Sequence, residues 1–97
     1  MKVLIARYTV KPGQTETVLE HLSEMGKKVR AEEPGCKVYK VHRPDGQENM
    51  LVLYEAYTDQ MALEAHRETP FFKEIIEGKV VPLLEKRERE VLELVLE

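Results

Sequence analysis

The 97-residue chain is long enough for one domain over residues 1–97, and its 42% hydrophobic content is typical of a globular protein rather than a disordered one. The formal charge of −3 and the absence of a lysine and arginine stripe argue against nucleic acid as a partner. Cys36 is the only cysteine, which excludes an intrachain disulfide and a cysteine-based zinc site. No apolar stretch approaches the ~18 residues of a membrane span, and the opening apolar run is too short for a signal peptide. We therefore expect a cytoplasmic protein with no membrane partner.

The chain opens with a predicted strand and a predicted helix. Residues 3–10 alternate β-branched and aromatic side chains with others, and the turn signal Lys-Pro-Gly follows at residues 11–13. Thr15 stands at the N-cap position of the helix, and residues 32–35, Glu-Glu-Pro-Gly, end it. The helix carries an apolar stripe at helical spacing, formed by Val18, Leu22, Met25 and Val29.

The middle of the chain predicts a β-hairpin followed by a short helix. Residues 36–43 and 49–57 have the composition of strands, and residues 44–47 between them have that of a hairpin turn. Either Thr58 or Asp59 caps the short helix, which runs to His66.

The last third of the chain predicts a restarted helix and then a strand. Thr69 and Pro70 have the form of an N-cap followed by proline at the first helical position. Gly78 and Pro82 should weaken or bend the end of this helix. Residues 90–97 alternate as a strand does, although they could also be the tail of a helix. The buried stripe of the restarted helix is predicted to be Phe72, Ile75, Ile76, Val80 and Leu83.

The resulting order of elements, β-α-β-β-α-β, predicts an α+β fold of the ferredoxin-like kind. In this fold one antiparallel sheet has helices on one face. Right-handed crossovers then place strands one and three in the middle of the sheet and strands two and four at its edges.

Both faces of this sheet are predicted to be apolar. In the first strand, Val3 and Ile5 alternate with a second apolar set, which consists of Leu4, Ala6, Tyr8 and Val10. The helices can cover only one face, so the other face and the apolar last strand need a partner of their own. We therefore predict a homodimer that is packed sheet to sheet.

The run LYEAYTDQMALEAHRETPFF, residues 53–72, resembles the signature region of the antibiotic biosynthesis monooxygenase family. The shared pattern is a strand end reading aromatic-Glu-x-aromatic, a short helix ending in histidine, Ser/Thr-Pro and an aromatic-rich helix. The segments YTVKPGQTETVLEHL and AEEPGCKVY are also similar to that family. The resemblance implies a ferredoxin-like protomer that dimerises into an α/β barrel, with a pocket between sheet and helices. For the characterised members it implies oxidation of quinols or polyphenols by O₂, with no metal or flavin.

The resemblance also bears on two other mechanisms. Haem-degrading relatives use an Asn-Trp-His set, whereas this chain has no tryptophan and carries His66 where the Trp would be. Many relatives with the AHxxTP run have a second histidine after the proline, and this chain has Phe71 there. We therefore expect neither haem degradation nor a two-histidine mechanism.

His66 is the predicted catalytic residue. An imidazole titrates near neutral pH and could take a proton from a phenol or quinol, leaving an electron-rich anion that reacts with O₂. The alternative is a helix-terminal histidine that only satisfies carbonyls or is favoured by the helix dipole. The three histidines of the chain lack metal-ligand spacing, so we expect no metal, and the resemblance implies no other cofactor.

Five further residues are predicted to bind the substrate, namely Tyr8, Tyr54, Glu55, Tyr57 and Phe71. The tyrosines could line a pocket for a flat aromatic ligand, as could Tyr39, but packing in the core or the dimer explains them equally well. Glu55 could orient His66 or bind a substrate hydroxyl, whereas an ion pair with Arg7 on the neighbouring strand is the favoured interpretation. Phe71 is a candidate pocket wall, and Phe72 is expected in the core.

Two functions remain open from the sequence. One is a cofactor-independent monooxygenase that oxidises a quinol or polyphenol-like aromatic with O₂. The other is a non-enzymatic small-molecule-binding or regulatory dimer of the same fold, since a fold does not determine a function. A pocket lined by His66 and tyrosines favours the first, and a collapsed core around Phe71 favours the second.

Overall fold

The four strands form one antiparallel sheet in a computed structural model that describes residues 1–97. The strands are β1 (Lys2–Val10), β2 (Cys36–His42), β3 (Met50–Tyr57) and β4 (Leu84–Glu93). Their order across the sheet is β2-β3-β1-β4, so β1 and β3 are central. The predicted ferredoxin-like order and the predicted positions of the strands in the sheet are confirmed.

Three helical segments cover one face of the sheet, and they are α1 (Thr15–Glu32), α2 (Gln60–Glu68) and α3 (Phe72–Val80). α3 is wound as a π-helix, and a 3₁₀ turn at Val81–Leu83 follows it. Gly78 lies in α3 and Pro82 in the 3₁₀ turn, so this end departs from a regular α-helix as predicted. None of the helices has the length and hydropathy that a membrane span requires.

The main hydrophobic core lies between the sheet, α1 and α3. The predicted stripe of α1 is buried along its whole length, from Val18 to Val29. α3 buries four of the five residues of its predicted stripe, and the fifth, Leu83, is half-buried in the 3₁₀ turn. The sheet contributes one side of each central strand, namely Ala6, Tyr8, Val10, Leu51 and Leu53.

Two predicted boundaries are wrong. Thr15 is the first residue of α1 and not its N-cap, and its hydroxyl donates to the carbonyl of Glu48 at 3.2 Å. β4 begins at Leu84 and ends at Glu93, whereas residues 90–97 were the predicted strand. Its first seven residues, LEKRERE, lack apolar alternation because an edge strand pairs on one side only and tolerates exposed charge there.

The face of the sheet away from the helices is apolar near β4. Strand register places Val3, Ala56 and Leu92 side by side on this face, and Ile5 beside Tyr54. The segment after β4 borders the same face, and the Leu94 amide continues the pairing with β1 by donating to the Met1 carbonyl at 3.0 Å. Together they line an apolar depression of about 340 Å³, which is formed by Val3, Ile5, Tyr54, Leu92, Glu93, Leu94, Val95 and Leu96. We call this surface the open face.

Candidate active site

His66 is buried at the end of α2, with 2% of the residue exposed. Asp59 caps the start of this helix by accepting from the Ala62 amide at 2.8 Å. At its end the Thr69 hydroxyl donates to the His66 carbonyl at 2.9 Å and accepts from the Phe72 amide at 3.1 Å. The break at Thr69 therefore fixes the backbone on both sides, at His66 and at Phe72.

Glu33 holds one nitrogen of the His66 ring, a contact that the sequence analysis missed. Nδ1 of His66 lies 3.0 Å from both carboxylate oxygens of Glu33. An ionised carboxylate can only accept, so Nδ1 carries a proton, and in the neutral ring Nε2 is the nitrogen with the lone pair. Glu33 is the C-cap of α1, and its sequence context, Glu-Glu-Pro-Gly, indicates only where a helix ends.

The second ring nitrogen of His66 faces a buried carboxyl. Nε2 lies 3.7 Å from Oε1 of Glu55, which is too long for a hydrogen bond. The hydroxyl of Tyr57 donates to the same Oε1 at 2.6 Å. Burial raises the pKa of Glu55, and the neighbouring His66 offsets part of that rise when its ring is protonated. Nε2 is therefore a base without a hydrogen-bond donor in this arrangement.

The favoured interpretation of Glu55 as an ion-pair partner of Arg7 is wrong. The register of β1 and β3 pairs Arg7 with Val52, and Glu55 with Leu4. Alternate residues of a strand point to opposite faces, so Arg7 lies on the open face and Glu55 on the helix side. Arg7 instead approaches Glu90 of β4 at 3.8 Å. Glu55 lies beside His66 instead, and its suggested role in orienting that ring or binding a substrate hydroxyl stays a prediction.

Three aromatic rings enclose the imidazole. The centroids of Tyr39, Tyr57 and Phe72 lie 6.0, 5.3 and 5.1 Å from that of His66. Burial raises the pKa of Tyr39 and of Tyr57 well above the ordinary value. Both hydroxyls therefore keep their protons well above neutral pH. The Tyr57 hydroxyl donates its proton to Glu55, so the Tyr39 hydroxyl is the donor that remains for a ligand.

Three of the five predicted substrate-binding residues lie on the helix side with His66, and they are Tyr8, Glu55 and Tyr57. Tyr54 does not, because it alternates with Glu55 along β3 and lies on the open face with 37% of its surface exposed. The expectation that Tyr54 lines the same pocket is wrong. Phe71 is half-buried against the main core, and Phe72 is the residue that packs on the His66 ring.

Three surface depressions surround this cluster, and each shares one residue with it. The one at Glu33 measures about 170 Å³ and is bordered by Cys36 and Ala65. The one at Tyr39 measures about 280 Å³, and the one at Phe72 about 310 Å³. His66 itself lines none of them. A ligand that reaches Nε2 must therefore displace a side chain of the cluster.

Comparison with known proteins identifies relatives along most of the chain. A family model described as "Antibiotic biosynthesis monooxygenase" matches residues 1–78. The Bacillus subtilis protein named "Putative monooxygenase YcnE" is 36% identical over 73 residues, which are 75% of this chain and 76% of that protein. An uncharacterized Synechocystis protein is 29% identical over 75 residues, which are 77% of this chain. The matched residues span only 50% of that relative's length.

Solved structures share the fold over almost the whole chain. A structure from Caulobacter crescentus, described as a putative antibiotic biosynthesis monooxygenase, has a TM-score of 0.91 at 27% identity. The match covers 98% of this chain and 90% of that one. Rv0793 from Mycobacterium tuberculosis has a TM-score of 0.89 at 28% identity, and the match covers 99% of this chain and 96% of that one. The likeness therefore extends beyond residues 1–78 to β4.

Proposed function

This chain belongs to the antibiotic biosynthesis monooxygenase family, and we propose that it is a cofactor-independent monooxygenase that oxidises a quinol or polyphenol-like aromatic with O₂. The observation that supports the proposal is the set of contacts around the His66 imidazole ring. Glu33 binds Nδ1 at 3.0 Å, while Nε2 has no hydrogen-bond donor and lies among aromatic rings.

Proton abstraction is the first step of the proposed reaction. Nε2 of His66 accepts the proton of a substrate hydroxyl, and the Glu33 carboxylate stabilises the imidazolium that forms. Glu33 also fixes the tautomer, so that the basic nitrogen is the one that faces Glu55 and Tyr57. In this proposal the substrate oxygen lies next to Nε2, in the space that a displaced side chain of the cluster vacates.

Electron transfer from the deprotonated substrate to O₂ is the second step. A C–H bond of the aromatic ring is replaced by a C–O bond, one oxygen atom of O₂ enters the product, and the other leaves as water. A hydroquinone is thereby converted into a hydroxyquinone, and all the electrons that reduce O₂ come from the substrate. This balance requires no external reductant.

The aromatic cluster suits a flat ligand. A substrate ring that displaces one of the side chains can stack against Tyr57 and Phe72, as aromatic pairs do at comparable separations. The Tyr39 hydroxyl can donate to an oxygen of the ligand, whereas the Tyr57 hydroxyl donates its one proton to Glu55. The depression at Glu33 offers an entrance, because Glu33 contacts both solvent and the His66 ring.

The proposal includes a homodimer that covers the open face. Leu92, Leu94, Val95 and Leu96 are exposed large hydrophobic residues that continue from this face. Exposed apolar surface of this kind on a sheet without helices is stabilised by a second copy packed against it. The apolar part of the open face lies beside β4, so the second copy would also protect this edge strand.

A non-enzymatic ligand-binding dimer is the second candidate. The observation that favours it is the closure of the site, since only 2% of His66 is exposed and the ring borders no depression. A Glu33–His66 pair in such a protein would only join the ends of α1 and α2.

Oxygen uptake distinguishes the two candidates. Chelator-treated protein is mixed with a panel of hydroquinones in an oxygen electrode, and the products are identified by mass spectrometry. The monooxygenase proposal expects O₂ consumption and a product that has gained one oxygen and lost two hydrogens. Binding of a hydroquinone without O₂ consumption by any member of the panel would instead establish the ligand-binding protein.

A further inference from the structure

Three arginines near the His66 cluster have no acidic partner. The register of β4 against β1 pairs Arg87 with Tyr8 and Arg89 with Ala6, so both arginines project to the helix side. Arg67 follows His66 directly in α2. None of the three forms an ion pair, whereas Arg7 and Arg43 do.

Arg87 contains the one buried side-chain nitrogen or oxygen of the chain that lacks a hydrogen-bond partner, its Nε. A guanidinium N–H that is removed from water without an acceptor is costly, and such groups usually have a partner. The Arg87 guanidinium also lies beside the Tyr8 hydroxyl, where it offsets part of the rise in pKa, to about 12, that burial causes. The Arg87 Nε group, which lacks an acceptor, therefore lies next to the buried Tyr8 side chain.

The positive charges of the three arginines also crowd one another. Burial lowers the pKa of Arg89, and the neighbouring Arg67 and Arg87 lower it further. Glu55 acts in the opposite direction, but burial raises the pKa of this carboxyl and so weakens it as a counter-charge. The cluster is thus locally positive in a chain whose formal charge is −3. A bound anion would relieve the repulsion and supply the missing acceptor.

We infer that Arg67, Arg87 and Arg89 bind a carboxylate on the aromatic substrate, so that the substrate class is a hydroxylated aromatic acid. This inference rests on the proposed function, because it places the ring of the same ligand at His66. Glu55 links His66 to the arginines. Its Oε1 lies 3.7 Å from Nε2 of His66, and its negative charge raises the pKa of Arg89. A guanidinium binds a carboxylate through two parallel hydrogen bonds, a geometry that also orients the ring to which the carboxylate is attached.

Anaerobic binding measurements test this inference apart from turnover. 2,5-Dihydroxybenzoate and hydroquinone differ only by a carboxylate, and each is titrated calorimetrically into the protein without O₂. We expect the acid to bind ~10-fold or more tightly than hydroquinone, the effect of one or two charge-assisted hydrogen bonds. Arg67→Gln and Arg89→Gln, both at exposed positions, should remove this preference and leave the affinity for hydroquinone unchanged.

Arg43→Gln is the matched control, because it removes the same charge from an exposed arginine that pairs with Glu16 at 3.4 Å. This variant should keep the full preference for the acid. Circular dichroism checks that each variant is folded, and the two exposed positions keep the test valid even where Arg87→Gln does not fold.

Three outcomes would overturn the inference. The first is equal affinity of the wild-type protein for the two ligands, and the second is a preference that survives in folded Arg67→Gln and Arg89→Gln. The third is inorganic phosphate binding as tightly as the aromatic acid, which would indicate an anion site unrelated to the substrate. An intact preference for the acid without any O₂ uptake would refute the monooxygenase proposal alone and leave the carboxylate site standing.

Discussion

The Glu33–His66 contact joins the ends of two helices that are 33 residues apart in sequence. It decides which ring nitrogen is basic, and so it gives a single histidine a defined chemical role. His66 was identifiable because it is the histidine within residues 53–72, the run that resembles the signature region of the family. Glu33 was not, because a glutamate before Pro-Gly is typical of a helix end whatever its side chain contacts.

Glu55 should make the stability of the protein depend on pH. Burial raises its pKa above the ordinary value of 4.5, so the folded state binds this proton more tightly than the unfolded state does. The resulting stabilisation is complete below the unfolded pKa and is lost as pH rises through the folded pKa. Glu55→Gln cannot ionise and still accepts from Tyr57, so its advantage over the wild type should grow above pH 4.5 by at most about 1.4 kcal/mol per pH unit.

Urea unfolding of both proteins at a series of pH values measures this difference. The Glu55→Gln variant and the wild-type protein should have similar free energies of unfolding at acid pH, and the two values should diverge as the pH rises. Parallel stability curves across the series would show that Glu55 ionises in the folded state as readily as in the unfolded state.

At the scale of elements, the break between α2 and α3 positions the cluster. The sequence signal for this break, Thr-Pro before two phenylalanines, is local, and both the break and the packing of Phe72 were predictable from it. The start of β4 was not, because its charged residues follow no apolar period and only pairing with β1 makes them a strand. Local turn chemistry is therefore readable from one sequence, whereas the charged edge strand β4 is not, in contrast to the edge strand β2, which was predicted.

Removal of the Thr69 hydroxyl should destabilise this junction. Thr69→Val keeps the branched shape but loses one hydrogen bond to the His66 carbonyl and one from the Phe72 amide. We expect the free energy of unfolding to fall by about 0.5–2 kcal/mol, the range found for loss of a helix cap. Thr69→Ser keeps the hydroxyl and is the control in denaturant unfolding. A loss of equal size in both variants would mean that the hydroxyl is not what holds the junction.

At the scale of the whole molecule, the sheet has one helix-covered face and one open face. The alternation in β1 was enough to predict this division, since Val3 and Ile5 lie on the open face as expected. The same alternation separates Tyr54 from Glu55 and Tyr57, so the placement of Tyr54 in the pocket conflicted with the period of its own strand. Periodicity was enough to predict which face of the sheet a strand residue occupies. It could not predict contacts between elements that are distant in sequence.

Substitution on the open face should weaken the proposed dimer. Leu94→Lys places a charge in the apolar depression beside Val3 and Ile5. We expect the dissociation constant to rise by roughly tenfold or more, equivalent to about 1.4 kcal/mol. Met61→Lys is the control, because Met61 is 78% exposed on α2. Sedimentation equilibrium measures both variants, and a wild-type protein that is monomeric at micromolar concentration would end the dimer proposal.

The rate of O₂ consumption by wild-type and His66→Gln protein, measured side by side after chelator treatment, tests whether His66 is the catalytic base. His21→Gln is the matched control, since His21 lies on α1 and not in the cluster. If His66 is the base, His66→Gln should lower turnover of a hydroquinone by ~10²–10⁴, the usual contribution of general-base catalysis, while the protein remains folded. His21→Gln should keep the wild-type rate. A folded His66→Gln protein that consumes O₂ at the wild-type rate would contradict the assignment of His66 as the catalytic base.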